Sequence, residues 1–378
     1  MSDEIAENPV YSLPPFIAQE VSVALSQTVD WSLAVNKIPE LHLAGFTGRG
    51  VPVAILDTGV SLNHPDLQGA IAGHRDFTGE GIEDNVGHGT HTAGTVAARA
   101  NDIGVLGVAP QSSLFIGKCL TRSGGSDQWI GAAIRWAVDQ GARLINLSLG
   151  SPQPGRMMQD AIAYAVSRNV LVICAAGNDG RANSVNYPAK YPTVCAVSAY
   201  DEQGNLAPFS SRGPEVDIAG PGVNILSTYK NAGYAKLSGS SMSSPFCVGV
   251  AALLLEKHPE INRIDDLISR FRRGAIDPGP GSDFGWVLRN PHDVLVDPVV
   301  PPPAPPPPID PPPPSKPPAI EIEIGLGLVF HVPAQPTDLA TGGIAFKAGG
   351  TLDASVDAVK LLRQLEQAAA LSHAIQED

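Results

Sequence analysis

Five short runs of almost unbroken apolar residues constrain this chain more than any other feature. They fall at residues 51–56, 114–119, 144–149, 170–175 and 193–197. A strand that shows water one face alternates apolar and polar side chains; a strand covered on both faces does not. Stretches with helical spacing lie between the runs, at 91–99, 128–140 and 159–167. Strand, helix, strand repetition predicts a parallel sheet flanked by helices on both sides, an α/β fold of three layers.

The chain divides further by composition. Residues 1–26 form a short leader, and 27–297 carry the α/β pattern. Residues 298–318 are mostly proline, which lacks a backbone donor and favours an extended polyproline helix. That stretch reads as a semi-rigid spacer, or alternatively as a proline-rich ligand for a partner domain. In the tail, 319–378, alternation over 319–332 predicts a strand and the spacing over 352–375 predicts a helix. About sixty residues bury a weak core alone, so docking or homo-oligomerisation through this tail is expected.

With 43% hydrophobic and 17% charged residues, a large core is expected. A net charge of −13 argues against a nucleic-acid partner. The start, MSDEIAENPVYSLPPF, has no basic segment followed by an apolar run, and no run is long enough to span a membrane. A cytoplasmic location is therefore expected, with Cys119, Cys174, Cys195 and Cys247 as buried, reduced thiols.

Three segments carry chemistry. Ile55-Leu56-Asp57-Thr58-Gly59 closes the first apolar run. Gly87-His88-Gly89-Thr90-His91 opens a helical stretch. Gly239-Ser240-Ser241-Met242-Ser243-Ser244-Pro245 precedes the apolar run 248–255. A serine hydroxyl is a weak nucleophile until a base takes its proton, and the base needs a carboxylate to hold its tautomer. Asp57, His88 and Ser241 supply one of each. Pro245 suits the first turn of a helix, whose positive end would favour a developing oxyanion near Ser241. Taken singly the segments allow other readings: a turn aspartate, a serine cap, an aspartic-protease Asp-Thr-Gly, or a His88/His91 metal pair lacking a third ligand.

Together, in this order, they resemble the subtilisin-like serine protease family, over residues 27–295. The resemblance implies a serine endopeptidase of peptides or proteins working through an acyl-enzyme. Asp57 would orient His88, the general base, and His91 would be a structural neighbour. Asn178, in Ala175-Ala176-Gly177-Asn178, would donate its amide to the oxyanion. Gly124, Gly125 and Ser126 would form one edge of the substrate groove and Ser148, Leu149 and Gly150 the other. Ala175, Ala176, Gly177 and Asn186 would line the first pocket, giving broad specificity with an apolar preference before the cut. Departures are small: Ser240 stands where the family usually has threonine, and Ser243 and Phe246 where it has alanine and histidine.

The same resemblance implies a structural Ca2+ held by the side chains of Gln27, Asp66 and Asn101 and the carbonyls of Arg99, Ile103 and Val105. In the leader, Leu13-Pro14-Pro15-Phe16 is similar to the Leu-Ile-Pro-Tyr element of intracellular subtilisins, the relatives closest in character. That element implies an inhibitory extension lying across the active site in a precursor. Pro14 and Phe16 differ from the element. Two further functions stay open from the residues: an inert peptide-binding module, and an enzyme that transfers peptides rather than hydrolysing them.

Overall fold

A computed structural model describes residues 9–14, 16–23 and 26–295, and the backbone of 320–324, 328–332 and 346–347. The chain divides into two compact units at Pro298. The first unit opens with β1 (Val10–Tyr11), β2 (Gln19–Val21), α1 (Trp31–Val35), α2 (Ile38–Leu43) and β3 (Pro52–Asp57). A 3-10 turn (Pro65–Leu67), β4 (Ile71–Asp76), α3 (His88–Ala97), β5 (Ser113–Lys118), β6 (Gly125–Ser126) and α4 (Asp127–Asp139) follow. Next come β7 (Leu144–Leu147), α5 (Arg156–Ser167), β8 (Leu171–Ala175), β9 (Cys195–Tyr200), β10 (Ile218–Pro221), β11 (Ile225–Thr228) and β12 (Tyr234–Leu237). The unit closes with α6 (Ser240–Lys257), α7 (Ile264–Arg273), β13 (Ala275–Ile276), β14 (Trp286–Leu288) and α8 (Pro291–Leu295).

The central sheet has nine strands in the order β13-β14-β10-β9-β8-β7-β3-β5-β4. All neighbours are parallel except β13 with β14. The five apolar runs became β3, β5, β7, β8 and β9, shifted by one to three residues at their ends. Their continuity has the expected cause. Val53 and Ile55 of β3 enter one core with α3 and α6, while Ala54 and Leu56 enter a second core with α4 and α5. Leu171 and Ile173 of β8 alternate with Val172 and Cys174 in the same way. Each fully buried Leu or Ile contributes roughly 1.5–3 kcal/mol. The four thiols are free and buried within these cores.

Helix α6 is buried on all sides from Ser240 to Leu255. A helix apolar all round must run through a core rather than over it. It begins at Ser240, so Pro245 sits in its second turn and not, as the sequence suggested, in its first. The ring removes the N–H that would bond the carbonyl four residues earlier, that of Ser241. The Ser148 hydroxyl donates to that carbonyl instead, at 2.9 Å. This side-chain substitution lets the helix extend back to the serine.

Strand order reverses around β3: β5 and β4 lie on one side, and the later strands on the other. The carboxyl end of β3, where Asp57 sits, is thus a topological switch point, the position at which open α/β sheets bind ligands. Beside the sheet lies a small antiparallel group, β11-β12-β2, in which the leader supplies the third strand. No described helix is long and apolar enough to cross a membrane.

In the second unit, β15 (Ile320–Ile324), β16 (Leu328–Val332) and β17 (Phe346–Lys347) form an antiparallel sheet. One strand over 319–332 was expected; two paired strands occupy that stretch, and Gly325 and Gly327 are the sequence signals for the break. The spacer 298–318 and the helix expected over 352–375 lie outside the described residues.

Candidate active site

Asp57, at the end of β3, is fully buried. Its carboxylate faces His88 Nδ1 at 2.8 and 3.0 Å and accepts the Thr58 N–H at 2.7 Å. His88 is the first residue of α3 and is likewise buried. The helix start packs so closely on the strand end that a Cβ added at Gly89 would collide with the Gly59 carbonyl oxygen. Gly87, at φ 99°, needs the left-handed freedom of glycine, and a side chain there would strike the Tyr229 ring. Among the described residues, the other ring nitrogen, His88 Nε2, has no hydrogen-bond partner. His91 is fully buried, its Nε2 2.9 Å from the Ile225 carbonyl, and burial pushes its pKa down to about 3. It stays neutral and structural. Among the described residues, no cluster of three or more His, Cys, Asp or Glu side chains forms a metal site.

Asp84 was missed from the sequence. Its carboxylate, 2% exposed, accepts the N–H groups of Val86, Gly87 and Thr90 and the hydroxyls of Thr58 and Thr90, all at 2.7–3.0 Å. Thr58 in turn accepts the Gly89 N–H at 2.8 Å. The N–H groups of Gly87, Gly89 and Thr90 at the start of α3 are thereby satisfied, and the helix is tied to the strand end carrying Asp57.

Ser241 lies in the first turn of α6 and is 2% exposed. Its hydroxyl reaches the Ser148 carbonyl at 3.5 Å. A buried relay supports it. Ser244 Oγ donates to Asn146 Oδ1 at 2.8 Å, Asn146 Nδ2 donates to Ser148 Oγ at 3.0 Å, and Ser148 Oγ donates to the Ser241 carbonyl. Asn178 Oδ1 accepts the Ser240 N–H and hydroxyl, both at 2.9 Å. A Cβ added at Gly239 would meet Asn178 Nδ2 at 2.9 Å and the Ser241 nitrogen at 3.7 Å. Asn178 Nδ2 and the Ser241 nitrogen both lie near Gly239.

The two groove edges are already spanned. Val10 and Tyr11 pair antiparallel with Ser126 and Gly125 of β6. On the other side, Ser12 N–H donates to the Gly150 carbonyl at 2.9 Å and Gly150 N–H returns a bond at 3.0 Å. Tyr11, another residue missed from the sequence, is fully buried, and its hydroxyl donates to Asp127 at 3.3 Å. Leu13 packs against the core that contains Leu149 and Ala176. Ala175 ends β8, and Asn186 N–H donates to the Ala176 carbonyl at 3.0 Å. A Cβ added at Gly150 would meet Asn186 Cβ at 3.0 Å; one at Gly177 would meet Asn186 Nδ2 at 2.7 Å. The leader thus lies between Gly125-Ser126, which follow Gly124, and Gly150, which follows Ser148 and Leu149, while Asn186 lies beside Gly150, Ala176 and Gly177, next to Ala175. Phe16 lies over the His88 ring, centroids 5.2 Å apart. Pro15 lies outside the described residues.

The residues expected to hold Ca2+ also come together. Asp66 is fully buried, its Oδ2 accepts the Val105 N–H at 2.7 Å, and its Oδ1 has no partner. The Gln27 Nε2 donates to the carbonyls of Arg99 and Val105 at 2.6 and 3.1 Å, so it is the amide nitrogen and not the expected oxygen that faces them. One terminal atom of the Asn101 amide lies 3.2 Å from both the Arg99 and Ile103 carbonyls. Oxygen atoms crowd this point with an orphaned buried carboxylate among them, which is the donor chemistry of a calcium site.

The sequence pattern of the Subtilase family matches residues 48–271. Subtilisin Savinase of Lederbergia lenta is 47% identical over 268 residues, covering 70% of this chain and 98% of that protein. An alkaline protease of Alkalihalobacillus alcalophilus is 46% identical over 279 residues, 73% of this chain and 72% of its own length. The M-protease of Shouchella clausii (strain KSM-K16) is 46% identical over 253 residues, 66% of each chain.

Proposed function

The chain belongs to the subtilase family and is a serine endopeptidase, and from that premise we propose that Ser241, His88 and Asp57 carry the reaction. Ser241 Oγ attacks the substrate carbonyl carbon as His88 Nε2 takes its proton. Asp57 holds the Nδ1 proton, which fixes the tautomer and favours the imidazolium. The oxyanion is met by the Ser241 N–H and Asn178 Nδ2. Collapse transfers the His88 proton to the departing amine and leaves an ester on Ser241. Water, deprotonated by His88, attacks the ester and releases the acid. The observation that carries this reading is the buried Asp57–His88 contact with Nε2 left unpartnered among the described residues. Burst release of a chromogenic product and fluorophosphonate labelling of Ser241 are expected; an unlabelled Ser241 in a protein of native fold would overturn it.

The leader acts as a brake in a precursor. Counting two residues on from Ser12, opposite Gly150, brings Pro14 opposite Ser148. The Ser148 carbonyl lies 3.5 Å from the Ser241 hydroxyl, so this register carries Pro14 to the nucleophile. Pro14 cannot donate to the Ser148 carbonyl, and the bond after it joins two prolines, a poor target for attack. His88 and Ser241 are 0% and 2% exposed beneath it. Leu13, Pro14 and Phe16 thus bind as a substrate does without being cut. A peptide-library digest is expected to show cleavage after apolar residues, since the first pocket is walled by Ala175, Ala176, Gly177 and Leu149; cleavage confined to Lys or Arg would overturn that preference.

Ca2+ would be held by Gln27, Asp66, Asn101 and the carbonyls of Arg99, Ile103 and Val105, and would pin residue 27 to the loop after α3. Its chemistry there is structural, neutralising Asp66. Chelation is expected to lower the melting temperature; an unchanged value would exclude the site.

A further inference from the structure

We propose that the outer edge of β12 is a substrate subsite for the extended segment five to seven residues beyond the cleaved bond. The inference rests on the reading of the leader as a substrate mimic. Within the group β11-β12-β2, strand β12 has two neighbours only because the leader provides one. Val21, Glu20 and Gln19 pair antiparallel with Tyr234, Ala235 and Lys236. Once the leader leaves, this edge presents unpaired N–H and C=O groups a few residues ahead of Ser241, a template for any extended chain.

The pairing of Ser12 with Gly150 carries Pro14 to Ser148, beside the nucleophile, and Phe16 two residues on lies against the His88 ring. A substrate following the same path therefore places its fifth to seventh downstream residues where Gln19, Glu20 and Val21 now lie. The intervening residues alternate as an extended strand must. Phe16 and Ala18 pack against the buried cluster of Ile225, Tyr229, Ala235, Leu237 and Met242, whereas Ile17 between them is 87% exposed. Gln19 and Glu20 are exposed. Recognition beyond the fourth residue is therefore by backbone and tolerant of sequence, while the second and fourth positions favour apolar or small residues. This edge gives the enzyme a preference for long, unfolded polypeptides over short peptides.

The test uses amidated peptides identical through the fourth residue after the cut, one ending there and one continuing to the eighth. A third copy of the long peptide carries N-methyl groups on its fifth to seventh amides. Preparations of the full chain are titrated with fluorophosphonate, so that rates refer to open sites. The long peptide is expected to show roughly tenfold higher kcat/KM, the net effect of one to three backbone hydrogen bonds, and N-methylation to abolish the gain. Equal kcat/KM for short and long peptides overturns the subsite, as does a gain that survives N-methylation. Neither result touches the triad. A chain whose Ser241 never reacts overturns the catalytic reading, and the subsite with it.

Discussion

Two helices present the side chains proposed to carry the reaction, and their first turns are finished in opposite ways. Helix α3 carries His88, and its leading N–H groups end on the buried carboxylate of Asp84. Helix α6 carries Ser241 behind Gly239, and no carboxylate caps it. Its first amide donates to Asn178 Oδ1, and Asn178 Nδ2 lies near Gly239. The positive end under the base is neutralised, which suits a group that must become a cation. In the proposed mechanism, the positive end under the nucleophile favours a developing anion.

The comparison breaks most visibly at Asn178. Asn178→Ala removes one of the two donors proposed for the oxyanion, and kcat is expected to fall roughly 100- to 1,000-fold with KM little changed. A melting temperature shifted by more than a few degrees would mean that Asn178 serves the fold instead. Asp84→Ala tests the other helix. It strands several buried donors, and a stability loss of about 3 kcal/mol is expected in denaturant titration. Activity of the surviving folded fraction should fall as well, since the start of α3 loses its tie to β3.

How much of this was legible beforehand differs between the two helices. Asp57, His88, Ser241 and Asn178 sit in short local patterns, and the strands announce themselves by apolar continuity. Asp84 gave no such signal, because its role is to collect donors that only the fold brings to it. Tyr11 is buried because a leader strand enters the groove, a long-range pairing that no window of sequence contains. Pro245 pointed to a helix start because proline is tolerated there. Its true place in the second turn depends on a hydroxyl from Ser148, almost a hundred residues earlier.

That substitution sharpens the comparison at smaller scale. Ser148→Ala leaves the Ser241 carbonyl buried without a donor and Asn146 without an acceptor, and a loss of roughly 1–3 kcal/mol is expected. A fall of a few fold in kcat should accompany it. Ser148→Thr, which keeps the hydroxyl, is expected to restore both. Recovery of stability without recovery of kcat would show that the relay supports the fold and leaves the nucleophile alone.

A half-buried carboxylate shows what incomplete matching does. Asp217 accepts one N–H, from Ala196 at 3.0 Å, where Asp84 accepts five donors. Burial pushes the Asp217 pKa up to about 6, against the partial relief given by that hydrogen bond and by Arg272. The folded state therefore holds this proton more tightly than the unfolded chain, whose carboxyl titrates near 4. The associated stability is fully present below about pH 4 and is lost as pH rises through 6. Asp217→Asn keeps an oxygen for the Ala196 N–H and removes the ionisation. Above pH 7 the variant is expected to be more stable than the parent by roughly 1–2 kcal/mol, discounted for the partial exposure of the site. The difference should vanish near pH 4. A gain that stays constant from pH 4 to 8 would place its origin in packing rather than in a charge that the fold leaves underpaired.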